Sequence, residues 1–154
     1  MKSVIFTLGD KEYGVDISEV REVIRLRPIT RIPDTADFVE GVISLRGKVV
    51  PLINLRVRLG MDKTVLPKTG RIIITRVDSH SVGVIVDSVA DVVSLDQASV
   101  TPPDEMLKDA EYLVGVARIG ERLIIMTDIG KLLRGDIGSH IKKVHDRVEI
   151  RKKE

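Results

Sequence analysis

Cysteine is absent from the 154 residues, which removes disulfides and thiol chemistry and suits a reducing compartment. Tryptophan is absent too, and aromatic residues make up only 3%, so there is little on which bases or sugars can stack. No apolar run exceeds about six residues, far short of the ~20 that a membrane helix needs. The N-terminus, MKSVIFTLGD, meets Asp10 too early for a signal peptide. Charge of one sign is also lacking. Twenty-five Lys and Arg face 23 Asp and Glu, a net +2 with both signs interspersed, so no polyanion-binding field follows. A P-loop, GxGxxG, a nucleophile elbow, CxxC and HExxH are all missing, and no catalytic constellation replaces them. The expectation is a cytoplasmic protein that is not an enzyme and holds no cofactor.

What is present is Val, Ile and Leu, within a composition that is 43% hydrophobic and 31% charged. That balance suits a folded chain rich in β structure. The organising stretch is Gly41 to Gly60, GVISLRGKVVPLINLRVRLG. Two strand-like runs meet at Arg46-Gly47, and Gly47-Lys48 is suited to the tight reversal because Gly tolerates φ > 0. Asn54 then caps a short helix, Leu55 to Leu59, which Gly60 stops.

The pattern recurs. Gly115 to Arg134, GVARIGERLIIMTDIGKLLR, aligns without gaps at an offset of about 74 positions, with Asp128 in the place of Asn54. Ile74 to Val93 likewise aligns with Ile5 to Ile24 at an offset of about 69, placing Gly83-Val84 on Gly14-Val15 and Asp91 on Glu22. Each half therefore reads as a hairpin and strand followed by a strand-turn-strand-helix unit, in pseudo-repeats spanning 5–60 and 74–134. About five short strands per half is the size of a small closed β-barrel. Neither half buries enough alone, so the two should pack on each other.

Between these units, Asp16 or Ser18 opens a helical turn, and Val20 to Leu26 reads as a strand with one wet face. Pro28 and Pro33 keep Ile29 to Ile32 extended at an edge. Phe38 reads as core. Lys63 to Gly70 is a linker-like break, and Asp96 to Tyr112 a connecting loop. Residues 137–154 form a basic tail.

Few residues suggest chemistry. His80 falls in a turn, and His140 and His145 are five apart, which does not place them on one helix face, so no metal site is expected. Asp87, Asp91 and Asp96 read as turn and solvent-facing positions. In the tail, Asp146, Glu149 and Glu154 interrupt Lys142, Lys143, Arg147, Arg151, Lys152 and Lys153, which favours a solvated end over a nucleic-acid or lipid contact. Arg46 stands out. At a turn amid apolar strands it is either an ordinary exposed charge or a presented guanidinium for a carboxylate, and Glu22 is the expected internal mate.

Three stretches, FTLGDKEYGVDISEVREV, TRIPDTADFVEGVISLRGKVVPLINLRVRLG and VGVIVDSVADVVSL, together resemble the CheW-type chemotaxis coupling proteins. The resemblance covers roughly residues 3 to 135 and implies a mainly β fold of two intertwined, five-stranded, SH3-like barrels with short helices, a single domain over 1–136. It implies a non-catalytic adaptor that couples the cytoplasmic tip of methyl-accepting chemotaxis receptors to the regulatory domain of a CheA-type histidine kinase. Such a protein binds no nucleic acid, is not inserted in the membrane, and is recruited to its inner face in receptor arrays. Carried onto this chain, the partner-binding residues are Val20, Glu22, Gly41, Arg46, Gly47 and Val92. Arg46-Gly47 ends the family's Asn-Leu-Arg-Gly motif, but Ser44 replaces its Asn, and the basic tail lies outside the family pattern.

Overall fold

The computed structural model describes residues 1–96, 99–103 and 111–134. Eleven strands are found among them. They are β1 (Lys2–Leu8), β2 (Lys11–Asp16), β3 (Glu22–Arg25), β4 (Val39–Leu45), β5 (Lys48–Asn54), β6 (Arg71–Val77), β7 (His80–Val86), β8 (Ser88–Ser94), β9 (Val100–Thr101), β10 (Leu113–Ile119) and β11 (Arg122–Thr127). Two single-turn helices, α1 (Leu55–Arg58) and α2 (Ile129–Leu132), follow β5 and β11.

The strands form two mixed sheets, ordered β8-β1-β2-β11-β10-β9 and β3-β6-β7-β5-β4. Each sheet takes its opening hairpin from one repeat and its strand-turn-strand unit from the other. The seams are parallel: β2 lies on β11 and β5 on β7. This exchange intertwines the halves in the expected two-barrel fold class, with a sixth strand on one side because Val100-Thr101 pairs with β10.

The seams show why glycine recurs. Gly14 lies opposite Met126 and Gly83 opposite Leu52. A Cβ on Gly14 would stand 2.7 Å from the Met126 sulfur, and one on Gly83 would stand 2.4 Å from Leu52 Cδ2. The bulges before Gly41 and Gly115 match as well, with φ of +146° and +158°, and a Cβ at either would lie 2.3 Å from the carbonyl oxygen of Thr30 or Thr101. The caps repeat too: Asn54 accepts from the Val57 amide at 3.4 Å and Asp128 from the Lys131 amide at 2.9 Å.

Three apolar clusters follow from strand alternation. Ile43, Val50, Leu52, Ile72, Ile74 and Ile85 fill one sheet's interior, and Ile5, Leu95, Ala117, Ile124 and Met126 fill the other's. A larger cluster joins both, with Val4, Phe6 and Tyr13 of one sheet among Val42, Ile73 and Val84 of the second. Phe6 and Tyr13 stack there at 5.6 Å, and Phe38 packs on the same cluster half-buried. The halves share this core, so neither would keep it alone.

Some local expectations shift. The expected helical turn is a 3-10 turn over Ile17–Glu19 capped by Asp16, and the strand read over Val20 to Leu26 contracts to Glu22–Arg25, with Val20 serving as the C-cap of that turn. The Ile29 to Ile32 segment is extended and pairs with β4 through Thr30 and Val42. Most of the loop over Asp96 to Tyr112, the tail and with it His140 and His145 lie outside the described residues.

Candidate partner-binding surface

The β4–β5 turn is set by two left-handed residues. Leu45 pairs with Lys48, so Arg46 and Gly47 are the loop, one residue earlier than the Gly47-Lys48 reversal expected. Arg46 has φ +51° and Gly47 +77°. Positive φ at both central positions is the type I′ pattern, whose twist suits a two-residue hairpin. An arginine in that conformation is uncommon, and here it aims the side chain across the sheet end. Nη1 donates to Glu22 Oε1 at 2.6 Å and Nη2 to Glu22 Oε2 at 2.7 Å. The expected mate is therefore in place, held by both prongs of the fork. The Arg46 side chain remains 70% exposed and that of Glu22 28%. Hydrogen bonding from Arg46 holds the Glu22 carboxyl below its ordinary 4.5, against the upward pull of desolvation. Ser44 enters through its carbonyl, which accepts from Arg27 at 3.2 Å.

Of the other residues singled out, Gly47 adjoins this pair, exposed, with open space where a side chain would be. Gly41 is buried at the β4 bulge, where the close Thr30 carbonyl explains the glycine. Val20 is half-buried against the shared cluster. Val92 lies on the other sheet, opposite Val4, and is 54% exposed. The structure thus gathers Glu22, Arg46 and Gly47 into one surface, sets Val20 against the shared cluster and leaves Val92 exposed on the other sheet.

Sequence reasoning missed the cleft beside Arg46. Arg21, Glu22, Arg46, Lys48, Arg76 and Ser81 line much of a space of about 290 Å³. The signal was a charge every second residue outward of buried Val50 and Ile74, but only sheet order brings those strands together. A larger cleft of about 410 Å³ lies between residues 31–40 and α1, away from Arg46. Its buried Glu40 has Lys63 Nζ 3.1 Å from Oε2, an ionic contact without hydrogen-bond alignment.

The carboxylates considered for a cluster have other work. Asp87 accepts from the Gly9 amide at 2.7 Å and from Arg56 at 3.2 Å, tying the β1–β2 turn to α1. Asp91 faces Arg122 at 3.8 Å. Among the described residues no group of His, Asp and Glu is arranged to hold a metal, and no helix is long and apolar enough to cross a membrane.

Residues 2–136 match the family model of the CheW-like domain. The chain belongs to the CheW-like family. The chemotaxis protein CheW of Klebsiella aerogenes is 40% identical over 135 residues, covering 86% of this chain and 81% of that protein. CheW of Treponema pallidum is 34% identical over 135 residues, covering 84% and 79%. The crystal structure of the scaffolding protein TtCheW from Thermoanaerobacter tengcongensis matches with a TM-score of 0.80 and 37% identity, over 88% of this chain and 89% of that one. CheW-like membership makes this chain a non-catalytic adaptor of chemotaxis signalling, coupling chemoreceptors to CheA.

Proposed function

We propose that this CheW-like chain bridges the cytoplasmic tip of a methyl-accepting receptor and the regulatory domain of a CheA-type kinase through Val20, Glu22, Gly41, Arg46, Gly47 and Val92. It does so at the inner face of the membrane, within receptor arrays, as one domain over 1–136 made of the repeats 5–60 and 74–134. The observation that carries this reading is the forked Glu22–Arg46 pair on a two-residue turn. Exposed ion pairs contribute little to stability, so such an arrangement is of more use in recognition. The fork holds both side chains in one geometry, and a contact held in place beforehand lowers the entropic cost of docking a partner there. Gly41 acts from beneath by fixing the bulge, while half-buried Val20 and exposed Val92 supply apolar surface for a helical receptor tip. Signal passes only if these contacts differ between receptor states.

The test is kinase activation in a reconstituted receptor–kinase complex. Arg46→Glu should abolish activation while the variant stays folded, and the double reversal Glu22→Arg/Arg46→Glu should restore part of it. Wild-type activation by Arg46→Glu at equal protein level would reject the reading.

A further inference from the structure

The two sheets have equivalent rims with different charge. In the sheet bearing Arg46, side chains of the interior face continue outward from Val50 to Lys48 on β5, from Ile74 to Arg76 on β6 and from Gly83 to Ser81 on β7. Arg76 and Ser81 are direct cross-strand partners, and Glu22 stands opposite Ile74. With Arg21 and Arg46 the cleft has four cationic side chains and one carboxylate. That carboxylate is already held by both prongs of Arg46. Among the described residues Arg21, Lys48 and Arg76 make no ion pair with an acid. At the equivalent rim of the other sheet Arg122 takes the place of Lys48, and it is neutralised within the chain. Its Nη2 donates to Glu12 Oε1 at 2.7 Å and its Nε to Glu12 Oε2 at 3.1 Å, with Asp91 beyond. The repeat puts Ser81 where Glu12 would be. The cleft therefore lacks the acid that its counterpart has built in.

We propose that this cleft receives an acidic side chain, Asp or Glu, from the kinase regulatory domain docked on the Arg46 surface, between Lys48 and Arg76 with the Ser81 hydroxyl as a neutral donor. The proposal rests on the reading that the Arg46 surface binds a protein. A space of about 290 Å³ is at the small end of ligand sites and suits one or two carboxylate side chains. Clustered like charges repel one another, and a carboxylate entering among them relieves that repulsion. Because the cations are exposed, the contact acts on encounter rate and weakens with salt.

The experiment is residue-resolved NMR on the full chain, titrated with a hexaglutamate peptide and separately with inorganic phosphate. Residue resolution separates the cleft from the basic tail. Hexaglutamate should move the Lys48, Arg76 and Ser81 amides saturably and leave Glu12 and Arg122 in place. Lys48→Glu/Arg76→Glu should weaken that response at least tenfold, and Lys48→Gln/Arg76→Gln by less, which keeps the test open if the reversal does not fold. No shift at the cleft, equal shifts at both rims, or an undiminished response in a folded variant would overturn the proposal. Equal saturation by phosphate would make this a small-anion site instead and would also overturn it. Binding of the CheA-type regulatory domain separates the two readings. Loss with Arg46→Glu but wild-type affinity with Lys48→Glu/Arg76→Glu sinks the acidic-contact proposal alone. Wild-type affinity with Arg46→Glu sinks the reading beneath it.

Discussion

At corresponding rim positions one sheet carries Thr7, Glu12, Arg122 and Asp91, and the other carries Arg76, Ser81, Lys48 and Glu22. The turns differ likewise: Gly120 in the first, Arg46 in the second. Deeper in, the sheets agree. Gly14 and Gly83 make room for Met126 and Leu52, Gly41 and Gly115 for the Thr30 and Thr101 carbonyls, and Asn54 and Asp128 cap equivalent helices. Backbone contacts have not diverged where a Cβ or a lost cap would break them. Rim side chains were free to diverge, and there one sheet closed its ions on itself while the other left cations facing out. Recognition is to be sought where the copies differ, and stability where they agree.

The comparison breaks most readily at the bulges. Gly41→Ala and Gly115→Ala each force a Cβ against backbone at an unfavourable φ, and each should cost at least about 2 kcal/mol in denaturant unfolding. A cost at one site only would show that the bulges are not equivalent. The seams should sharpen the contrast. Gly83→Ala meets a branched Leu52 in a full core, whereas Gly14→Ala meets flexible Met126, so the first should be more destabilising by about 1 kcal/mol. Equal costs would mean that both seams yield alike. Removing the caps comes next. Asn54→Ala and Asp128→Ala should each cost about 1 kcal/mol, with Asn54 the larger because it is buried and leaves the Glu40 carboxylate one donor short.

The smallest effect concerns Glu19, which accepts from the Gly130 amide at 3.0 Å at the start of α2. Burial pushes its carboxyl above the ordinary 4.5, and Asp128 adds to the rise. The folded state therefore binds this proton more tightly than the unfolded chain. The associated stability is full below the unfolded value and is lost as pH rises through the raised one. Glu19→Gln keeps an acceptor for Gly130 and removes the half-buried charge. It should raise the Tm slightly at neutral pH, with the gain vanishing in acid. A gain that is the same at both pH values would contradict this linkage.

Features settled within a few residues, the hairpins and both caps, were legible in the sequence; the repeat was legible because it aligns without gaps, and the mating of Arg46 with Glu22, 24 residues apart, because Glu22 was the acid on the wet-faced strand. The parallel seams were not, because Gly14 finds Met126 through sheet order rather than any local pattern. Val100-Thr101 was hidden for a related reason, since two residues carry no periodicity and the pairing comes from β10. The turn slipped by one because Gly47 drew attention as the flexible residue while Arg46 also takes positive φ. The cationic cleft needed β3, β5, β6 and β7 in place before Lys48, Arg76 and Ser81 became neighbours. Family resemblance indicated Arg46 but carried no information on those three.

The central claim is that the Glu22–Arg46 surface engages the kinase. Calorimetric titration of the chain with the regulatory domain of a CheA-type kinase from the same organism tests it most directly. The account predicts saturable binding near 1:1 for the wild type, at least tenfold weaker with Arg46→Glu, and unchanged when residues 137–154 are removed. Wild-type affinity in a folded Arg46→Glu variant, or binding that disappears with the tail, would contradict it.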